Sequence, residues 1–320
     1  METTACDLCG STRQTTVYQI PDRRYFPNEL FTVVECDRCG LGFVNPRPSF
    51  NEIGKYYPPE YYEKGFAENK EYHQRRYARE ARYLREIENR GGPRRLLDVG
   101  CANGDFPRFM AERGWAVEGV EVSHSSTPIA DFPVYPQSFP DIPVDTPTYD
   151  AVTAWAVLEH VHHPMDYFRK AAKVLKPRGL FVFLVTNFDS MASRHLFCED
   201  VPRHLVFFTR QTVNRYLQET GFRLEREDNR GHIFNLEPEN WLIFLLRDKV
   251  MRRRLSWEDL PTGRPEFIEK QGMRPGLISS VRYGFKYPLR LVERPFWPLL
   301  RLMQVLRRTH PISTYLARKA

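Results

Sequence analysis

Long apolar runs are missing from this sequence of 320 residues. The longest, Trp241 to Leu246, is far shorter than the ~18 residues that a membrane-spanning helix needs. The N-terminus also lacks the basic stretch followed by an apolar stretch that marks a secretory signal. These absences predict a soluble, cytoplasmic protein.

Cysteines are few, and four of the six form two Cys-x-x-Cys pairs, Cys6 with Cys9 and Cys36 with Cys39. Without a secretory signal, this spacing favours a bound metal over disulfides. A glycine follows each pair directly and suits the tight turn that points two thiolates at one ion. Four thiolates satisfy a tetrahedral, structural Zn(II) and leave no position for a catalytic water. The alternatives are unligated reduced cysteines or a redox pair.

Positive charge is unevenly distributed. Residues 236–320 hold 17 Lys and Arg against 8 Asp and Glu, a net charge of +9, whereas the whole chain carries +7. The first 235 residues therefore have a net charge near −2. A basic region of this kind fits an anionic partner, or it is a set of solvated helices; both interpretations remain open.

One segment of the basic region, Trp297 to Arg308, predicts a helix with a wide apolar face and cationic edges. Such a helix can lie on a membrane surface or gather a lipid-linked substrate. The alternative is that it docks on a sheet or forms a dimer interface. The first interpretation adds peripheral membrane association to the expected cytoplasmic location.

Strand and helix patterns alternate through the middle of the chain, as is typical of a parallel α/β sheet. The predicted strands are 94–100, 115–123, 132–138, 149–157, 180–187, 222–229 and a last one at 312–320. The predicted helices are 68–89, 105–114, 165–179 and 209–221, with Thr209 as the N-cap of the last. A short crossover helix within 124–131 is interrupted by a proline.

A glycine turn follows the first of these strands. Asp98 precedes Gly100, Gly104 opens the next helix, and Glu121 ends the second strand, 21 residues beyond Gly100. A carboxylate at that place suits a ribose, because two cis hydroxyls match one carboxylate. The turn lacks the Gly-x-Gly-x-x-Gly of dinucleotide sites, and its acid suits a cationic ligand better than a pyrophosphate.

These motifs resemble those of the class I S-adenosylmethionine-dependent methyltransferases. The resemblance rests on LLDVGCANGDF, EGVEVS, YDAVTAWAVLEHVHHP and LKPRGLFVFLVTN, and it covers residues 94–235 and the terminal ISTYLARKA. It implies a Rossmann-like sheet with an antiparallel last strand. By position, the residues expected to hold S-adenosylmethionine are Asp98, Gly100, Cys101, Gly104 and Glu121. Ala102 stands where glycine is common, and residues 137–139 lack the acid that often binds adenine.

The Leu-Glu-His segment after the fourth strand supplies the candidate base. His160 is the predicted proton acceptor, and Glu159 orients it or takes the proton itself. The zinc-containing sugar C-methyltransferases, which the N-terminal half also resembles, have a Glu-His pair here that is implicated in catalysis. The alternative is that the pair only closes a helix start. His204 and a lid of Tyr56, Tyr57, Tyr61 and Tyr62 are further candidates for the pocket.

The predicted organisation has five parts. They are a zinc module (1–46), an aromatic loop and helix (47–92), the cofactor-binding core (93–235), a basic helical insertion (236–311) and the last strand of the core (312–320). The predicted function is methyl transfer to a small molecule such as a sugar, a natural-product intermediate or a lipid-linked precursor. The alternatives are an RNA methyltransferase, against which the separation of zinc module and basic region argues, and a non-catalytic binding protein. The oligomeric state stays open.

Overall fold

The computed structural model describes residues 1–22, 24–26, 28–59, 61, 70–122, 131–194, 200–229, 242 and 292–320. Its strands are β1 (Gln14–Pro21), β2 (Leu30–Cys36), β3 (Gly42–Val44), β4 (Arg95–Val99), β5 (Ala116–Val120), β6 (Val134–Tyr135), β7 (Tyr149–Trp155), β8 (Leu175–Thr186), β9 (Val206–Phe207), β10 (Phe222–Asp228) and β11 (Ile312–Lys319). Its α-helices are α1 (Lys70–Ala81), α2 (Arg85–Asn89), α3 (Asp105–Ala111), α4 (Pro164–Val174), α5 (Met191–Arg194), α6 (Arg210–Glu219) and α7 (Trp297–Arg307).

Seven strands form one sheet in the order β10-β11-β8-β7-β4-β5-β6. The pairs β7-β8, β4-β7, β4-β5 and β5-β6 are parallel, whereas β11 is antiparallel to both β8 and β10. This confirms the predicted Rossmann-like sheet with an antiparallel last strand. The order in which strands are added to the sheet reverses between β4 and β7. In folds of this kind, ligands bind in the crevice at the carboxyl ends of the two strands at that point.

Side chains on the two faces of the sheet enter two separate cores. Leu97, Val152 and Phe183 pack with α4 and α6 on one face, and Leu96, Ala151 and Leu184 pack with α1 and α3 on the other. Neighbouring residues of a strand point to opposite faces, so a strand covered on both sides has a continuous apolar sequence. The run LFVFLV has this property, and LLDV has it apart from Asp98.

A second sheet is antiparallel and has the order β1-β2-β3-β9. Its first three strands come from the cysteine-rich N-terminus, and β9 comes from the segment that follows β8. Leu8, Leu41 and Phe43 pack in the same core as Phe208 and Tyr216. The N-terminal region therefore shares its apolar core with the central sheet.

Two predicted helices differ from the observed ones, the first in where it ends and the second in its continuity. The helix predicted at 165–179 ends at Val174, because Pro177 has no amide hydrogen to continue it and the chain enters β8 instead. The helix predicted at 68–89 is interrupted by a 3₁₀ turn at Arg82–Leu84. That turn lets the Tyr83 hydroxyl donate a hydrogen bond to Asp228, at 2.9 Å.

Thr209 caps α6 as predicted: its side chain accepts a hydrogen bond from the Thr212 amide. The crossover helix predicted within 124–131, the Tyr62 side chain and most of the basic insertion lie outside the described residues. Among the residues described, no helix has the length and apolar character needed to cross a membrane.

Candidate active site and cysteine cluster

The glycine turn, which we define as residues 98–105, runs from the last two residues of β4 to the first residue of α3 at the carboxyl edge of the sheet. Gly100 and Gly104 have φ values of 70° and 81°, in the left-handed region that glycine adopts without strain. A Cβ atom on Gly100 would lie 2.6 Å from a methyl group of Val157. Ala102 also has a positive φ, 49°, which an alanine adopts only with strain.

Glu121 directly follows β5, and its side chain lies against the glycine turn. Its Oε2 atom accepts a hydrogen bond of 2.8 Å from the backbone amide of Ala102. Because β4 and β5 are adjacent and parallel, their carboxyl ends meet at this edge. The structure thus brings Glu121 and the turn together, as the sequence spacing predicts.

Asp98 is buried beneath the turn, with 2% of its surface exposed. The Thr153 hydroxyl donates a hydrogen bond of 2.5 Å to its Oδ1 atom. Burial raises the pKa of Asp98 well above its usual value, against the Thr153 hydrogen bond, and the negative charge of Glu80 raises it further. Burial also raises the pKa of the neighbouring Cys101 thiol, with added repulsion from Asp98 and Glu121.

Glu80 on α1 is a site residue that the sequence analysis missed. It is fully buried, its Oε1 atom accepts a 2.8 Å hydrogen bond from Arg76 Nε, and its buried Oε2 atom has no hydrogen-bond partner among the described residues. Burial raises the pKa of Glu80 to about 7, although Arg76 opposes the shift. A signal was available, because Glu80 lies at helical spacing between Tyr77 and Leu84 on the apolar face of the segment.

Asp98 and Glu80 together place two buried carboxyl groups near one guanidinium. Buried carboxylates need positive charge or hydrogen-bond donors around them. Besides Arg76, such a pair favours a bound cationic group beside the turn. The amino group of a bound S-adenosylmethionine has the required charge.

His160 closes the 3₁₀ turn Leu158–His160 that follows β7. Its Nδ1 atom lies 3.0 Å from the Tyr57 hydroxyl and 3.1 Å from the Arg203 carbonyl oxygen. A carbonyl oxygen only accepts hydrogen bonds, so Nδ1 carries the proton and Nε2 carries the lone pair. Burial lowers the pKa of His160 to about 3, with help from His204, which keeps the ring neutral near pH 7.

His204 lies beside His160 and Glu159. We name these three residues the Glu-His cluster. The rings of His160 and His204 meet edge to face with centroids 4.6 Å apart. The ligand atoms of all three side chains lie within 4.8 Å of one another. Two imidazoles and a carboxylate can accept a proton or hold a divalent cation.

Arg203 fixes the segment that carries His204. It is fully buried, and its guanidinium donates hydrogen bonds to Asp22 and Asp200 at 2.8 to 3.1 Å and to the Tyr56 carbonyl oxygen at 3.0 Å. This network could not be predicted from sequence, since its partners lie up to 181 positions apart. The Glu-His cluster is thus supported from outside the core motifs.

Leu205, which follows His204, connects this segment to the N-terminal sheet. The amide of Leu205 donates to the Glu159 carbonyl at 2.8 Å, and the Leu205 carbonyl accepts from the amide of Val44 at 3.0 Å. A single residue, Leu205, therefore links the backbone of β3 to the backbone of Glu159.

The four paired cysteines form a cluster in which all sulfur atoms lie within 4.8 Å of one another. Cys6 and Cys39 are 3.4 Å apart, and Cys9 and Cys36 are 3.5 Å apart. Both pairs have the same backbone: the amides of Gly10 and Gly40 donate to the carbonyls of Cys6 and Cys36 at 2.8 and 2.9 Å. A tetrahedron of ~2.3 Å zinc–sulfur bonds has sulfur atoms roughly 3.8 Å apart, so this set fits zinc.

Comparison with known proteins agrees with this architecture. A family model described as a methyltransferase domain matches residues 70–227. The ubiquinone biosynthesis O-methyltransferase of Ruegeria pomeroyi is 31% identical over 169 residues, which cover 47% of this chain and 67% of that protein. The chain belongs to the S-adenosylmethionine-dependent methyltransferase family.

Other relatives of the methyltransferase match over shorter stretches. The protein of the same name from Alkalilimnicola ehrlichii is 34% identical over 104 residues, 29% of this chain and 42% of that one. The chain spans less than half the length of several such relatives. Among solved structures, a methyltransferase from Archaeoglobus fulgidus is 18% identical with a TM-score of 0.45, covering 76% of this chain and 94% of that one.

In this methyltransferase the glycine turn and the Glu-His cluster share one edge of the sheet. Val157, whose methyl group fills the space beside Gly100, lies two residues before Glu159. The residues predicted for the cofactor and for the base therefore meet where β4 and β7 end. Of the predicted lid, Tyr57 reaches the cluster and Tyr56 is buried with its hydroxyl donating to Glu29 at 2.7 Å.

Proposed function

We propose that this methyltransferase moves the methyl group of S-adenosylmethionine to a small-molecule acceptor bound over the Glu-His cluster. The observation that supports it most is the junction at Val157, which joins a cofactor-type glycine turn to a neutral, half-buried histidine. Bound S-adenosylmethionine supplies a methyl group on a cationic sulfur, and transfer to the acceptor is an in-line displacement.

The glycine turn would hold the cofactor. Gly100 and Gly104 leave room for it to approach the backbone, and Glu121 accepts hydrogen bonds from the ribose hydroxyls. Asp98 and Glu80 face its amino group, while Arg76 attracts its carboxylate. These assignments agree with the Glu80 Oε2 atom, which has no hydrogen-bond partner in the described part of the chain, and with the raised pKa values of both buried acids.

His160 would act as the proton acceptor through Nε2. The Arg203 carbonyl holds the ring by its Nδ1 hydrogen, and Glu159 and the neighbouring groups stabilise the imidazolium as it forms. The low pKa of His160 in the free enzyme keeps the imidazole neutral at physiological pH, with the Nε2 lone pair available to a proton. His204 lies at the edge of the ring and orients the acceptor or the base.

The acceptor atom would be an oxygen. The relatives in the comparison are named O-methyltransferases, and a hydroxyl is the weak nucleophile for which a positioned base is useful. A sugar hydroxyl, a phenol or a hydroxylated lipid precursor all present such a group.

The cysteine cluster would hold a structural Zn(II) through Cys6, Cys9, Cys36 and Cys39. With four thiolates the ion has no open position, so its contribution is to folding. Because β3 lies against Leu205, zinc binding would also stabilise the backbone next to Glu159.

The test of the proposed function is methyl transfer from labelled S-adenosylmethionine to a panel of phenols, catechols and hydroxylated sugars. With any accepted substrate, His160→Asn should lower kcat by about 10² to 10⁴-fold, the range for a lost general base, and leave S-adenosylhomocysteine binding unchanged. The matched control is His163→Asn, an exposed histidine of the same segment. Full activity in His160→Asn rejects the base, and lack of S-adenosylhomocysteine binding by the unaltered chain rejects the function.

A further inference from the structure

Helix α7 and the turn before it bury two polar residues and expose most of their apolar ones. Glu293, in the turn before the helix, is fully buried and Gln304 is 7% exposed, with half-buried Trp297 and Leu300 between them. Spacings of three and four residues place these four side chains on one face. The Glu293 carboxylate accepts a 2.8 Å hydrogen bond from the backbone amide of Leu242, which links this inner face to that residue of the basic insertion.

The opposite side is apolar and lies in solvent. This outer apolar face consists of Phe296, Leu299, Leu302, Met303, Val305 and Leu306, which are 39 to 73% exposed. It supplies six of the eleven large apolar side chains that are exposed in the described part of the chain. A surface helix in water normally turns such residues toward the core, so this arrangement marks an interaction surface.

Exposed arginines flank the outer apolar face. Arg294 precedes the helix, and Arg307 and Arg308 end it. If two copies of the chain joined through this face, the arginines of both copies would lie close together, and their positive charges would oppose the contact. A surface with negative headgroups and an apolar interior complements both features at once.

We propose that helix α7 docks the protein on the surface of an anionic membrane. The outer apolar face enters the boundary between headgroups and acyl chains, and the arginines bind lipid phosphates. At 11 residues the helix is roughly 16 Å long, too short to cross the bilayer, so it lies in the plane of the interface. The proposal is independent of the methyl-transfer chemistry.

Vesicle flotation tests it with the purified full-length chain. Vesicles contain either phosphatidylcholine alone or an equal mixture with phosphatidylglycerol. The chain should float with the anionic vesicles, and raised salt or Arg307→Gln with Arg308→Gln should lower the bound fraction several-fold. Leu302→Asp with Leu306→Asp should abolish flotation, whereas Leu30→Asp, a matched change at an exposed leucine of β2, should have no effect.

Thermal unfolding of each variant shows whether it is folded. We expect the aspartate variants to fold, because the leucine side chains that they replace are exposed. Lack of flotation on anionic vesicles overturns the proposal, and so does flotation that survives the double aspartate variant. A dimer in light scattering that Leu302→Asp with Leu306→Asp converts to a monomer, without vesicle binding, would instead assign the face to a second copy.

Discussion

The glycine turn and the Glu-His cluster share one edge of the sheet but are built differently. The turn comes from one continuous stretch, Asp98 to Asp105, with Glu121 from the adjacent strand. The Glu-His cluster draws on segments around residues 57, 160 and 204, and it is held by Arg203 and by the N-terminal sheet. The core motifs alone build the proposed cofactor site, whereas the proposed acceptor site depends also on the N-terminal region.

The strongest way to separate the two regions is to remove a cysteine ligand. Cys39→Ser should eliminate bound zinc and lower the free energy of unfolding by at least about 4 kcal/mol, because metal binding supplies folding energy. At a temperature where the variant remains folded, methyl transfer should fall far more than S-adenosylhomocysteine binding. Elemental analysis, thermal unfolding and calorimetry measure these quantities.

Arg38→Ala, an exposed change between two cysteines of the cluster, is the control and should keep the metal and the activity. Equal losses of transfer and of cofactor binding in Cys39→Ser would show that the two regions are not separable.

Arg203→Ala comes next, with an expected loss of about 3–5 kcal/mol in the free energy of unfolding by urea. The change leaves the carboxylates of Asp22 and Asp200 buried without their partner. Arg24→Ala removes a partly exposed partner of Asp200 and should cost no more than about 1 kcal/mol. A similar small loss in both variants would mean that the network does not hold the Glu-His cluster.

A pH series on Glu80 sharpens the account of the glycine turn. Glu80 has a pKa raised to about 7, and a bound cationic amino group favours its ionised form. Below pH 7 binding must expel a proton, so the affinity for S-adenosylhomocysteine should fall by up to about tenfold for each pH unit and should level off above pH 7. Glu80→Gln should flatten this slope, and Glu112→Gln, on the surface, should retain it; a slope that persists in Glu80→Gln contradicts the assignment.

The smallest expected effect is that of Tyr57→Phe. The Tyr57 hydroxyl accepts, at 3.0 Å, the Nδ1 hydrogen of His160 that the Arg203 carbonyl also accepts; the loss of one hydrogen bond is worth about 0.5–1.5 kcal/mol, so kcat should fall by roughly 2- to 13-fold while cofactor binding stays constant. Tyr61→Phe keeps the ring that contacts Tyr57, with centroids 5.0 Å apart, and is the comparison variant. An unchanged kcat in Tyr57→Phe would remove that hydroxyl from the cluster.

The glycine turn could be predicted from sequence because its determinants are local. A buried strand, two glycines and an acid on the next strand follow from periodicity and spacing alone. The order of the sheet and the antiparallel last strand followed from the resemblance of the motifs to a known family. The helix end at Val174 was missed although Pro177 signals it, because the apolar pattern continues into β8.

The support of the Glu-His cluster could not be predicted in the same way. Arg203 pairs with Asp22 across 181 positions, and a lone arginine before a histidine gives no pattern from which that contact follows. The exposure of the apolar face of helix α7 could not be predicted either. A wide apolar face predicts a contact but does not indicate which side of the helix meets the core.

The central claim is that the glycine turn and Glu121 hold S-adenosylmethionine. Calorimetry of S-adenosylmethionine and S-adenosylhomocysteine binding to the unaltered chain, to Glu121→Lys and to the surface variant Glu112→Lys tests it directly. We expect binding in the first and third proteins and at least a hundredfold weaker binding in Glu121→Lys. Equal affinity in all three, or none in the unaltered chain, would contradict it.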